Sequence, residues 1–152
     1  MESSRSIGDD STKKGKAAEF LVFSELLRRD ADLYLPIIDI GVDAIIRQKG
    51  GTYLEVQVKS TEKEDQAGYF NIDLSELQQR PEDKFFIICI DMNQKNYIEQ
   101  GKPNIWVIPA KDYKKYMTAS GRLPIYERRH GDKEPRYKLL QNRFYAWGLL
   151  TG

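Results

Sequence analysis

The chain has 152 residues, with 24 Lys and Arg against 23 Asp and Glu for a net charge of +1, and 40% of it is hydrophobic. That length suits one domain, and that apolar fraction can fill a core, which excludes wholesale disorder. One cysteine, Cys89, excludes a disulfide framework or a multi-cysteine zinc site, and the longest apolar run, Phe85 to Ile90, is far short of the ~20 residues that cross a bilayer.

Residues 1–12 are polar and lack the apolar stretch of a signal peptide. They read as a flexible leader ahead of a single domain over 13–152, in a reducing cytoplasmic compartment. Ser11 or Thr12 is the expected N-cap of a helix to about Arg29, with a broad apolar stripe of Ala17, Ala18, Phe20 to Phe23, Leu26 and Leu27. Asp30 to Pro36 reads as a connection and Ile37, Ile38 and Ile40 as a short apolar segment. Val42 to Arg47 and Tyr53 to Ser60 read as a hairpin across Lys49-Gly50-Gly51. Its second strand alternates, with Leu54, Val56 and Val58 on one face and Glu55, Gln57 and Lys59 on the other.

Tyr69 to Ile72 is an extended piece, and Ser75 to Arg80 a short helix before Pro81. Lys84 to Asp91 has the unbroken apolar character of a central strand buried on both faces. A turn-rich link over Asn93 to Pro103 leads to a strand at Asn104 to Ile108 and a helix over Pro109 to Met117. Ile125 to Arg129 and Arg136 to Leu140 read as a hairpin, and Arg143 to Leu150 as a closing helix or edge strand. The order of elements predicts an α/β fold with a mixed central sheet flanked by helices.

Charge is unevenly placed. Between Lys111 and Arg143 ten basic residues face four acidic ones, a local excess of six, while the rest of the chain stands at minus five. Such a lobe suits either a phosphate backbone, with Lys114, Lys115, Arg128 and Arg129 as candidate contacts, or simply solvent.

Three polar positions stand out. Asp43 interrupts an apolar strand, Glu55, Gln57 and Lys59 share a strand face, and Glu19 sits among the apolar neighbours Ala18, Val22, Phe23 and Leu26. A hairpin turn centred on Gly51 puts Asp43 opposite Lys59, on the face that carries Gln57. A two-residue loop at Gly50-Gly51 would put Asp43 on the other face, so an odd-numbered loop is expected. In a pocket beneath the first helix, Asp43 and the Gln57 carbonyl, with Glu55 and Glu19 nearby, are oxygen ligands suited to Mg²⁺ or Mn²⁺. Lys59 would offset charge or hold water in phosphodiester hydrolysis. The plainer readings stay open beside this one: Asp43 as a turn residue after Gly41, the three polar residues of the second strand as a solvated face, and Glu19 as the border of the stripe. Cys89 reads as a buried thiol, His130 as a turn residue, and Trp106 and Trp147 as packing residues.

A helix bearing Glu19, then Asp43, then Gln57-Val58-Lys59 within the stretch EVQVKS resembles the PD-(D/E)XK nuclease superfamily, especially its Mrr-like and Holliday-junction-resolvase-like branches, where Gln commonly stands in the (D/E) position. The resemblance covers Lys14 to Ser60 well and Lys84 to Ile108 loosely. It implies a restriction-endonuclease-like fold and Mg²⁺-dependent DNA cleavage. Asp43 and Gln57 would be metal ligands, Lys59 the catalytic lysine and Glu19 the helix carboxylate. Two copies are often needed for double-strand cutting, so a homodimer is an expected partner state. The chain departs from the pattern in having Gly41-Val42 rather than Pro before Asp43, and an uncharged residue at 57. A catalytically silent relative that binds nucleic acid or protein is the alternative reading.

Overall fold

A computed structural model describes residues 7–62, 68–126 and 134–152. The elements run α1 (Ile7–Arg28), β1 (Asp32–Tyr34), β2 (Ala44–Arg47), β3 (Tyr53–Thr61), β4 (Phe70–Asn71), α2 (Leu74–Gln79), β5 (Phe85–Asp91), α3 (Gln94–Gln100), β6 (Asn104–Pro109), α4 (Ala110–Tyr116), β7 (Arg122–Leu123), α5 (Arg136–Leu139), a 3₁₀ turn (Gln141–Arg143) and α6 (Gly148–Thr151). Five strands make the central sheet in the order β1-β2-β3-β5-β6. The β3–β5 pair is parallel, and its neighbours on both sides pair antiparallel. This is the mixed sheet flanked by helices that the sequence predicts.

The alternation of β3 decides which face each helix covers. Leu54, Val56 and Val58 pack under α1 through Ala18, Val22, Phe23 and Leu26, joined by Phe86, Ile88 and Ile90 of β5. The opposite face gathers Phe85, Ile87, Cys89, Trp106, Ile108, Phe70, Leu77 and Tyr113. Every residue of β5 is buried, as its sequence predicts for a strand covered on both faces. Trp106 and Trp147 are both packing residues of the core, and Cys89 is a free, buried thiol.

Several elements differ from expectation. The α1 backbone is helical from Ile7, so the helix starts one turn before the expected cap, and Ser11 and Thr12 lie inside it. Its buried stripe is also narrower than the apolar pattern: Phe20 and Leu27 are exposed. The connection after α1 contains β1, which pairs with β2, and the link after β5 contains α3. Ile37, Ile38 and Ile40 stand in solvent rather than in the core. Arg136 to Leu139 is a helix, which removes the expected second hairpin, and its other arm falls largely in residues 127–133, outside the described residues. Among the described residues no helix is long and apolar enough to cross a membrane.

The two kinds of apolar position on α1 predict opposite outcomes. Leu26→Ala empties a site closed on all sides and should lower unfolding free energy by about 2–5 kcal/mol in urea titrations. Leu27→Ala, one residue on and exposed, should stay within about 0.5 kcal/mol of wild type.

Candidate active site

The site forms where β2 and β3 part. The hairpin loop runs from Gln48 to Thr52 and is odd-numbered as expected. The turn centres on Gly50, so Ile45 opposes Glu55 and Ala44 opposes Val56. Gly51, at φ +89°, closes that turn by donating its N–H to the Gln48 carbonyl at 2.9 Å. Continuing this register puts Asp43 opposite Gln57 rather than Lys59, while keeping 43, 57 and 59 on one face. The Asp43 N–H still donates to the Val56 carbonyl at 2.9 Å, but β2 proper begins only at Ala44. One step further along, the Val58 N–H donates to Asp43 Oδ2 at 2.7 Å. A carboxylate thus takes the place of a ladder carbonyl, and β3 from Gln57 onward is open on that edge.

Upstream of Asp43 the chain turns at Gly41, whose φ is +85°. That positive φ favours glycine, and a Cβ there would also meet the Glu76 carboxylate, which would have to shift.

A cleft of about 490 Å³ occupies the parting of the strands and brings together Lys16 and Glu19 of α1, Asp43, Gln57 and Lys59. One wall of the cleft is α1, through Gly15, Lys16, Glu19, Phe20 and Phe23. Gln57 and Lys59 belong to the face away from α1, and they meet Glu19 only because the sheet ends on this edge. Glu19, whose side chain is 13% exposed, is held by Lys16, with Nζ 3.0 Å from Oε2. The Asp43 carboxyl is its neighbour in the cleft.

Desolvation is the largest influence on Asp43 and, with the neighbouring Glu19 carboxyl, pushes its pKa up to about 7; the Val58 N–H and Lys59 pull the other way. The Lys16 ammonium is raised by its hydrogen bond and charge interaction with Glu19. Lys59 has no salt-bridge partner among the described residues. Gln57 Oε1 is buried without a hydrogen-bond partner.

The Glu19 and Asp43 carboxyls and the orphaned Gln57 amide oxygen form a set of oxygen donors beside the ammonium groups of Lys16 and Lys59. Such a set fits a hard divalent cation, which takes carboxylate and amide oxygens and retains waters. Among the described residues no group of three or more His, Cys, Asp and Glu gathers, so the set rests on Glu19, Asp43 and the neutral Gln57.

Glu55 is not part of this cluster. It faces the same way as Gln57, but Arg80 Nη1 lies 2.8 Å from its Oε2, and Arg80 also holds Glu76 at 2.9 Å and donates to the Ile40 carbonyl. An ion pair from a residue 25 positions later outcompetes the role read from strand parity alone. Lys16 is missed by the sequence reading, although its i,i+3 spacing from Glu19 is a signal for it.

The basic lobe is less free than its composition suggests. Lys114 pairs with Glu82 at 2.8 Å, Arg143 with Asp112 at 2.7 Å, and buried Arg136 donates to the Tyr116 carbonyl at 2.6 Å. Lys115 is exposed and lies over the Tyr116 ring. Arg128, Arg129 and His130 lie outside the described residues.

No protein-family model and no curated protein matches the chain. Among solved structures it is similar to a bacterial homing endonuclease, I-Ssp6803I, with 19% sequence identity, 98% of this chain and 91% of that chain covered, and a TM-score of 0.61. At that identity the similarity establishes an endonuclease-like fold.

The Asp43 environment sets a pH dependence of stability. A carboxyl that holds its proton more tightly folded than unfolded supports the fold fully below its unfolded pKa near 4, and this support is lost as pH rises through about 7. Metal-free wild type should therefore lose stability between pH 5 and pH 8 relative to Asp43→Asn, by about 1–2 kcal/mol after allowance for the solvent that still reaches the half-buried group. Paired urea titrations at the two pH values measure the difference.

Proposed function

We propose that this protein is a metal-dependent nuclease acting on DNA through a PD-(D/E)XK-type site. The observation that carries the reading is the meeting of Glu19, Asp43, Gln57 and Lys59 in one cleft, with Gln57 Oε1 buried and unpartnered. The similarity of fold to a protein described as a homing endonuclease supports it. Asp43, Gln57 and Glu19 would hold Mg²⁺ or Mn²⁺. The ion, when bound, would polarise the scissile phosphate and lower the pKa of a coordinated water.

The residues of the chain supply the rest. The Val58 N–H fixes the Asp43 carboxylate in orientation, so the ligand arrives pre-positioned. Lys59, without a salt-bridge partner among the described residues, is available to donate to a phosphate oxygen on which negative charge builds, or to hold the attacking water. Lys16, largely exposed beside Glu19, is suited to a neighbouring backbone phosphate, a contact that positions DNA without reading sequence. The cytoplasm is the proposed compartment, in keeping with a free, buried cysteine.

The second reading, a silent relative that binds nucleic acid or protein, is favoured by the diversion of Glu55 to Arg80, which leaves the site with two carboxylates. Supercoiled plasmid incubated with the protein and Mg²⁺ or Mn²⁺ separates the two. Cleavage that stops with EDTA and falls by about 100-fold or more in Lys59→Ala and in Asp43→Ala, with circular dichroism unchanged, is the expected outcome. Salt-sensitive binding with no cleavage under either ion would establish the silent module instead.

Gln57 gives an independent check. Replacing its orphaned oxygen in Gln57→Met should stabilise the metal-free protein by about 1 kcal/mol. The same change should weaken Mn²⁺ binding by isothermal titration calorimetry. A glutamine that does not hold the metal would leave Mn²⁺ affinity unchanged, whatever its effect on stability.

A further inference from the structure

One wall of the cleft is unlike the rest. Leu35, Pro36, Ile37 and Ile38 line it together with Asp43, Gln57 and Lys59, yet their outer surfaces face solvent. Ile37 is fully exposed and Ile38 is 74% exposed, at the tip of the segment between β1 and β2. The base of this segment is anchored. Asp39 Oδ1 accepts the Gly41 N–H at 3.0 Å, the Ile40 carbonyl accepts from Arg80, and Arg80 in turn grips Glu55 of β3 at 2.8 Å. The two isoleucines are therefore held out on a fixed stem tied to the strand that carries Gln57 and Lys59.

Across the cleft, α1 presents the exposed Lys16, 3.0 Å from Glu19, and β3 contributes Lys59 to the lining. Whatever enters the cleft meets an apolar tip on one side and the ammonium groups of Lys16 and Lys59 on the other. A polymer with an anionic backbone and flat apolar faces between the charges satisfies both walls.

We infer that Ile37 and Ile38 form a wedge that inserts at a base step of bound DNA and unstacks it beside the cleft. The inference rests on the nuclease reading only in taking DNA as the ligand, and it adds the class of substrate. Apolar side chains such as Ile and Leu that enter between base pairs separate them at a cost that is least where stacking is already weak. The preferred substrate is therefore DNA with a mismatch, a nick or a flexible pyrimidine–purine step, rather than uniformly stacked duplex.

The test uses the full chain without divalent ion and two 30-base-pair duplexes, one fully paired and one with a central mismatch, each carrying 2-aminopurine at the step. Wild type is expected to bind the mismatched duplex about tenfold more tightly and to raise 2-aminopurine fluorescence several-fold on binding. Ile37→Ser/Ile38→Ser, altered only at exposed positions, is expected to keep its melting temperature and its salt-sensitive affinity for paired duplex. It should lose both the fluorescence rise and the preference.

An unchanged fluorescence rise and preference in the double variant overturns the wedge. So does a wild type that binds no DNA but forms a dimer by sedimentation that the double variant abolishes, since the tip is then a contact between copies. Failure of the nuclease reading looks different, as unstacking and mismatch preference without cleavage when Mg²⁺ or Mn²⁺ is restored. Cleavage without unstacking sinks the wedge alone.

Discussion

The hydrogen bond from the Val58 N–H to the Asp43 carboxylate is the constraint on which the site depends. β3 has nine residues and β2 has four, so more than half of β3 has no antiparallel neighbour on that side. A backbone donor left half-buried at such a parting requires an acceptor. Asp43 supplies one with its side chain at 2.7 Å, immediately after its own N–H makes the last bond to β3. The same carboxylate thereby ends the ladder and becomes fixed over the gap that the ladder leaves. Structure and chemistry use one group, and the cleft exists because the pairing stops there.

The fixed acid stands beside a second one. Burial and the proximity of Glu19 both work against its charge, and the single backbone donor and the Lys59 ammonium do not offset them, since its pKa still lies near 7. Acids brought this close are stable together only when they share a proton or a cation. The orphaned Gln57 oxygen has the same need expressed in a neutral group. Arg80 marks the contrast. There one guanidinium bridges two carboxylates and a carbonyl, and the result is a clamp that holds the chain turn at Gly41 against β3. One polar cluster is satisfied and structural, and the other, a few residues along the same strand, is unsatisfied and open to solvent.

What was legible in the sequence follows period and parity. The two-residue alternation of β3 separates Leu54, Val56 and Val58 from Glu55, Gln57 and Lys59 without error, and the unbroken run of β5 marks the central strand. Parity also places Asp43 on the side of Gln57. The register differs from expectation by two residues, because two adjacent glycines do not say which is the centre of the turn, and Gly51 is its closing residue. Glu55 shows the limit of parity: it does face the same way as Gln57, yet its partner is Arg80, just past the end of α2, and no local pattern announces an ion pair over that separation. The three isoleucines near position 38 show another limit. Hydrophobic residues reveal a preference for burial, but whether any surface covers them is a property of the assembled fold. The charge excess after Lys111 was real in composition, while its division into paired and unpaired cations required the positions of Glu82 and Asp112.

An open strand edge is ordinarily a hazard, since its unpaired N–H and carbonyl groups invite a strand from another molecule. The free part of β3 carries features that discourage this. Asp43 occupies its first donor, Lys59 puts a charge along it, and Glu19 and Lys16 crowd its approach from α1. Each of these also belongs to the candidate site. Protection of the edge and formation of the candidate site thus call for the same arrangement: polar side chains in place of a neighbouring strand, on a sheet kept rigid by the buried β5 alongside. A sheet that paired fully here would be safer and more stable, and it would have no cleft.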